Sequence, residues 1–296
     1  MKELDVISLA ETKRDTNEME KEIAAGTYVP RVLWKIPISF LSEFNRDSLK
    51  AKRDLGAEPT RTIQAYYPDP FIASKRVNMA REVPYDEQTK SFKDWFKCTN
   101  KAYPRFIHVD LATKKDAVGI AMGYRSGYTT VDGEMRPKVY MDLMLRIQAP
   151  NKGEIMFTDV RQIIYTLQDL GFPIGQVSFD GWQSVDSIQI LRTRGINATM
   201  LSVDRTIEPH ETLKSCLQDD RLDYYRYTVL DKAGTPDEKY RNIFEDEISS
   251  LELLDGKKVD HAAKSSKDVA DAVAGMCYWC VQEEINAAVN PMISLI

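Results

Sequence analysis

Four aspartates form the arrangement in this 296-residue chain that points most directly to chemistry. Asp110 ends the apolar run Phe106-Ile107-His108-Val109, and Asp180 ends a second run, Gln176-Val177-Ser178-Phe179. Asp268 and Asp271 open a third segment, dominated by Ala270, Ala272, Val273, Ala274 and Gly275. Carboxylates brought together from such distant positions repel one another unless cations join them. A pair of Mg²⁺ or Mn²⁺ ions about 3.5 to 4 Å apart could then activate a water and stabilise the departing oxygen of a phosphodiester. Hard oxygen ligands suit those ions and do not suit zinc or copper. Spaced one helical turn apart, Asp268 and Asp271 share a face and can serve one site.

Each acid also has a plainer role open to it. Asp110 and Asp180 could simply close strands, since Asp180-Gly181 is a common turn pair. With Ser265 ahead of it, Asp268 could be half of a capping box. Asp271 is harder to explain in this way, because aspartate has poor propensity inside a helix and its neighbours are small enough to pack closely on a sheet. Asp116 could reach the ions through water or sit in a solvated turn. Lys114, Lys115, Lys264 and Lys267 flank the acids and could meet phosphates or be ordinary loop lysines. Gln183 and Ser184 could orient a phosphate or only start a helix. His108, His210 and His261 are scattered and read as core or surface residues.

The elements needed to position these acids follow from the apolar pattern. Phe106 to Asp110, Ala117 to Gly123 and Val139 to Ala149 read as three strands in quick succession, with a protruding turn around Asp132-Gly133. Met156, Val160, Ile163, Ile164, Leu167 and Leu170 recur at helical spacing, and Gly171 and Pro173 end that helix. A strand over Gln176 to Asp180, a helix over Gln183 to Arg194 and a strand over Ile196 to Val203 continue the alternation. A helix is expected over Pro236 to Ser249, a hairpin around Asp255-Gly256, and a last helix from Ser266 to about Ile285. The resulting expectation is an α/β fold with a mixed five-stranded sheet and helices on both faces. The first hundred residues, polar and broken by prolines, read as an irregular arm with one or two helices; residues 101–296 read as the globular domain.

Composition limits the function classes. With 43% hydrophobic and 29% charged residues, the chain is neither disordered nor fibrous. It contains no apolar run of the roughly 18 to 20 residues that would span a bilayer, and its N-terminus is charged rather than signal-like, so no membrane role and a cytoplasmic setting are expected. Cys277-Tyr278-Trp279-Cys280 lacks the second pair that a structural zinc site needs. No GxxxxGK[ST] or GxGxxG loop is present, so ATP hydrolysis is not expected, and a kinase-like or chaperone-like ATPase is disfavoured. The net charge of −5 argues against tight non-specific duplex binding by the chain as a whole. A local basic patch, or ions held by the acids, would offset that surplus.

Three segments carry a family resemblance: Phe106-Ile107-His108-Val109-Asp110-Leu111, Val177 to Ser184, and Val259-Asp260-His261 through Lys267-Asp268-Val269-Ala270-Asp271 to Gly275. They resemble the nuclease motifs of bacteriophage large terminase subunits over about residues 100 to 286. Trp34 to Phe71 is more loosely similar to the stretch joining motor and nuclease in those proteins. The resemblance implies an RNase H-like fold and a DNA endonuclease that cuts concatemeric viral duplex during packaging. It also implies two divalent cations on Asp110, Asp180 and Asp271 or Asp268, with Asp116 as an accessory acid. The partners implied are double-stranded DNA, a portal, a small terminase subunit and a separate or removed ATPase motor, at a capsid packaging complex in the host cytoplasm. A mobile hairpin over Ser250 to Asp260 would regulate access to the cleft. Alternatives on the same fold are a Holliday-junction resolvase or transposase-like nuclease, or a non-catalytic packaging module.

Overall fold

The computed structural model describes residues 6–10, 32–37, 46, 63–86, 89–111, 117–148, 154–181, 184–203, 205–228, 242–254, 256–261 and 265–282. The chain divides into two compact units, Met1–Arg61 and Thr62–Ile296. In the first, β1 (Val6–Ala10) pairs antiparallel with β2 (Val32–Pro37). Strands this short alternate too few times to stand out against the polar, proline-broken background that the sequence presents as an irregular arm.

The second unit begins with β3 (Ile63–Ala65), α1 (Ile72–Arg76) and a small hairpin of β4 (Tyr85–Asp86) and β5 (Ser91–Phe92). Then come β6 (Arg105–Asp110), β7 (Ala117–Val131), β8 (Glu134–Gln148), α2 (Phe157–Asp169), β9 (Ile174–Phe179), α3 (Val185–Thr193) and β10 (Ala198–Met200). The chain continues with α4 (Glu208–Gln218), β11 (Leu222–Asp223), α5 (Ile243–Ser250), β12 (Leu251–Leu254), β13 (Lys258–His261) and α6 (Asp268–Val281). No helix among the described residues is long and apolar enough to cross a membrane.

The main sheet has the order β10-β9-β6-β7-β8-β11. Strands β6, β7 and β8 form an antiparallel meander, while β9 and β10 run parallel to β6 on its other side, reached through helices. This is the mixed sheet expected from the sequence, with one addition. A sixth, two-residue strand, β11, lies parallel to β8. It is too short to carry a period-2 signal, and the rest of that edge is covered differently. The Tyr225 hydroxyl takes the backbone N–H and carbonyl of Met144 at 2.7 and 3.0 Å, and the Tyr227 hydroxyl takes the N–H of Arg146 at 3.2 Å. Side chains thereby satisfy an edge that would otherwise invite another strand.

Alternation along β6 and β7 separates two cores. Ile107, Val109, Val118, Ile120 and Met122 face one cluster, closed by α2 and α3, and each such buried side chain contributes about 1.5 to 3 kcal/mol. Phe106 and Ala121 belong to the opposite cluster, built with α4, α5 and α6. On that face β7 presents small residues at every second position, Gly119, Ala121 and Gly123, which allows α6 to lie close to the sheet. A Cβ at Gly119 would stand 1.8 Å from the carbonyl oxygen of Asp268, and one at Gly275 would stand 2.3 Å from the His108 ring. The helix and sheet touch through backbone, so the start of α6 is held in register against β6 and β7.

Several local boundaries differ from expectation. The strands β7 and β8 run on through the expected protruding turn as a long ribbon, and only Asp132 and Gly133, with φ of 50° and 82°, form its tip. Helix α4 was not anticipated. In the expected helix over Pro236 to Ser249, α5 occupies the C-terminal part, and residues 236–241 lie outside the described residues, as do Asp255 and 283–285. The Ser265 capping box does not form. Ser265 Oγ pairs with Ser250 Oγ at 2.6 Å, and the free N–H of Ala270 is taken by Glu247 Oε2 at 2.7 Å, a deeper carboxylate from another helix.

Candidate functional site

In β6 the pleat places Phe106, His108 and Asp110 on the face covered by α6, because successive side chains alternate. Asp110 stands opposite Gly119 on β7, and Gly119 opposite Arg146 on β8. This row lies beneath the first turn of α6. Asp268, whose carbonyl rests on Gly119, extends its carboxylate to Arg146 at 3.4 Å. On the other side of β6, Val109 pairs with Phe179, and the Asp180 N–H donates to the Val109 carbonyl at 3.0 Å. Asp180 Oδ2 accepts from the Val203 N–H at 3.0 Å, which fixes that carboxylate just beyond the end of β9.

Asp271 is 2% exposed and held from two sides. His210 Nε2 donates to Oδ1 at 2.9 Å, and Lys267 Nζ donates to Oδ2 at 2.8 Å. Burial opposes ionisation of Asp271, but these donors outweigh it and hold its carboxyl below the usual carboxylate range. Among the described residues, Asp110 receives no comparable help. Burial, then the charges of Asp271 and Asp268, push its carboxyl well above the usual range; Lys267 opposes the shift and Asp180 adds to it. The four acids therefore lie within electrostatic reach of one another.

Two neighbours were not read from the sequence as part of this region. Glu247, 2% exposed, accepts from Ser266 Oγ at 2.7 Å as well as from Ala270 N–H, and burial together with Asp268 raises its pKa to about 8. His210, expected only in core or surface, touches Asp271 across 61 positions in sequence. The Pro209 that opens α4 was the available signal for that helix, because proline favours the first helical turn.

The remaining expected residues divide plainly. Ser184 is fully buried and donates to the Gly181 carbonyl, so it closes a turn rather than facing solvent. Lys267 is bound to Asp271. Asp116, Lys114, Lys115, Gln183 and Lys264 lie outside the described residues. The hairpin of β12 and β13 exists and pairs through β12 with β3. Among the described residues, no three His, Cys, Asp or Glu side chains already surround a common point as a metal would require. Basic side chains take up carboxylate oxygens of Asp271 and Asp268 instead.

No protein-family profile matches the chain, and no curated protein sequence matches it. Among solved structures, it is similar to the large terminase nuclease from thermophilic phage G20c with bound magnesium, at 13% identity and a TM-score of 0.43, over 71% of this chain and 96% of that one. The nuclease domain of the Thermus phage P74-26 large terminase is similar at 12% identity and a TM-score of 0.44, over 70% of this chain and 93% of that one. The HK97 bacteriophage large terminase is similar at 10% identity and a TM-score of 0.45; the match covers 90% of this chain and 51% of that protein.

Proposed function

We propose that the chain is a divalent-metal-dependent endonuclease that cuts double-stranded DNA, with packaging of concatemeric viral genomes as the setting its three sequence motifs suggest. The observation that carries this reading is the state of Asp110. Three other carboxylates crowd a half-buried acid whose ionised form, among the described residues, only Lys267 favours. A bound divalent cation would relieve that repulsion, and the donor set, all carboxylate oxygen, suits Mg²⁺ or Mn²⁺.

Asp110 and Asp180 would hold the metal, with Asp268 or Asp271 completing the set. When bound, such ions lower the pKa of water and stabilise the charge of a departing oxygen. The chain's own contribution is positional. The strand ends fix Asp110 and Asp180, the Gly119 contact sets the depth of α6, and His210 orients Asp271. Lys267 and Arg146 balance part of the negative charge while no cation is present.

The test is plasmid nicking in the presence of Mn²⁺. Wild-type protein should nick and linearise supercoiled DNA, and Asp110→Asn and Asp180→Asn should each lose at least a hundredfold in rate while circular dichroism stays unchanged. Undiminished cleavage in both folded variants would place the activity elsewhere. A non-catalytic packaging module is the second reading, favoured by the absence of a preformed ligand cluster among the described residues; it predicts no cleavage by wild type with any divalent ion.

A further inference from the structure

At the opposite end of β6 from Asp110 lies a cavity of about 560 Å³ that the carboxylate site does not use. Its floor carries Arg105 and Asp142, whose side chains are 2% and 10% exposed and joined by Arg105 Nε donating to Asp142 Oδ2 at 3.0 Å. Arg105 Nη1 donates to the carbonyls of Asn100 and Tyr103, both at 2.6 Å. Neither Arg105 Nη2 nor Asp142 Oδ1 makes a hydrogen bond to the described residues, and neither is cut off from solvent, so both can be met by a ligand in the cavity. A ligand edge that offers the complementary acceptor and donor replaces water at both atoms with charge-assisted hydrogen bonds.

The walls are aromatic. The Arg105 guanidinium lies 4.1 Å from the Tyr124 ring centre, and Arg81 lies 4.0 Å from that of Tyr140. Trp95 lines the cavity while remaining 50% exposed, and its only ring contact among the described residues is edge-on, with Phe96 at 6.1 Å. An indole left unstacked is a platform for a flat ligand. The charged residues that line the cavity are Arg81, Lys97 and Arg105 against Glu82 and Asp142, a net charge of +1, so attraction to phosphate is modest beside stacking and edge pairing.

We infer that this cavity is a nucleobase-binding site, in which the base stacks on Trp95 and turns a neighbouring donor and acceptor on its edge to Asp142 Oδ1 and Arg105 Nη2. Every common base has such an adjoining pair, so the site is tolerant of sequence. The volume exceeds that of a base alone and admits a nucleoside monophosphate, either free or as an unpaired residue of a single strand. Burial raises the Asp142 carboxyl despite Arg105 beside it, in keeping with an acid that gains from a further donor.

Isothermal titration calorimetry of the full chain in EDTA with AMP, with ribose 5-phosphate and with a short oligodeoxyadenylate tests the assignment. AMP, the oligonucleotide or both should bind, and ribose 5-phosphate at least tenfold more weakly. Trp95→Ala, at a half-exposed position, should weaken base binding tenfold or more. Asp142→Asn should do the same, because the amide oxygen faces Arg105 and its NH₂ replaces the free acceptor with a donor. Binding by AMP alone identifies free nucleotide as the source, and binding by the oligonucleotide alone identifies a single strand. AMP indistinguishable from ribose 5-phosphate together with an oligonucleotide unaffected by Trp95→Ala would overturn the inference, whether or not Asp142→Asn folds. Asp110→Asn, roughly 16 Å away along β6, should leave binding unchanged, so failure here is separate from failure of the nuclease reading.

Discussion

Gly119→Ala is a one-methyl test of how the acids are positioned. The added Cβ would meet the Asp268 carbonyl oxygen at 1.8 Å, whereas real Cβ contacts essentially never fall below 3.0 Å, so helix and strand must part by at least about 1.2 Å. The obstacle is backbone and cannot rotate aside. Overpacking of this kind costs about 1 to 3 kcal/mol, and an obstacle of backbone on both sides belongs at the upper end. For a unit of this size each kcal/mol lowers Tm by roughly 2 to 4 °C, so calorimetry should show a loss of several degrees. The functional effect should be larger than the loss of stability suggests. Asp268 and Asp271 move with the helix while Asp110 and Asp180 stay with the sheet, and a misplacement of about 1 Å can cost on the order of a hundredfold in rate. Nicking should therefore fall by that order under conditions where calorimetry shows the variant fully folded. A Gly119→Ala protein that melts within a degree of wild type and nicks at the wild-type rate would refute the claim that backbone contact sets the geometry of the site.

Three further outcomes follow from the same electrostatics and capping. In EDTA at pH 8, Asp110→Asn should melt higher than wild type although its cleavage is lost, because it removes a carboxyl whose ionisation the fold disfavours; Mg²⁺ should raise the melting temperature of wild type and not of the variant. Glu247 has a folded pKa raised from 4.5 to about 8, so its contribution to stability is present below about pH 4.5 and is lost as pH rises through 8. At about 1.4 kcal/mol per unit, the ceiling on that loss is on the order of 5 kcal/mol, and urea titrations of Glu247→Gln in EDTA at pH 5 and pH 8 should show a clearly smaller decline than wild type. Arg125 closes the C-terminus of α6 by donating to the carbonyls of Cys280, Val281 and Gln282 at 2.9 to 3.0 Å. Arg125→Ala should lower stability by about 1.5 to 3 kcal/mol and speed hydrogen exchange in the last turn of α6, with the β6 amides less affected.

The sheet was legible because its strands carry two messages at once. Ile107 and Val109 bury one face of β6 while Phe106, His108 and Asp110 take the other, so the alternation that identifies the strand also orients the acid. The small-residue run after Asp271 likewise announced a helix that packs closely, and Gly275 against His108 is the contact it anticipated. Side-chain partners set by the fold were not legible. Nothing local distinguishes His210 from a core histidine, since its partner Asp271 is 61 residues away. Ser265 and Asp268 have capping-box spacing, yet Glu247 displaces that interaction because α5 packs beside the start of α6 and brings in a buried carboxylate that must find donors. Helix α4 was missed because its apolar residues, Leu213, Cys216 and Leu217, are few and Glu208, Glu211 and Lys214 dominate the pattern.

The location of the acids follows from strand order rather than from any single contact. At the ends of β6 and β9 the chain departs in opposite directions, from β6 back through antiparallel β7 and from β9 through α3 to β10. Neighbouring parallel strands whose connections diverge leave a crevice beyond their C-terminal ends, where ligands bind in open α/β sheets. Asp110 and Asp180 are the residues at those two ends, and α6 supplies Asp268 and Asp271 from above. Elsewhere, an acid there would have been solvated or paired; at this switch point Asp110 is crowded by like charges, and the protein tolerates the strain through Lys267, Arg146 and His210 on the neighbouring acids. Concentrating unfavourable charge where the topology opens a crevice is expected where stability is traded for a site that gains from binding a cation.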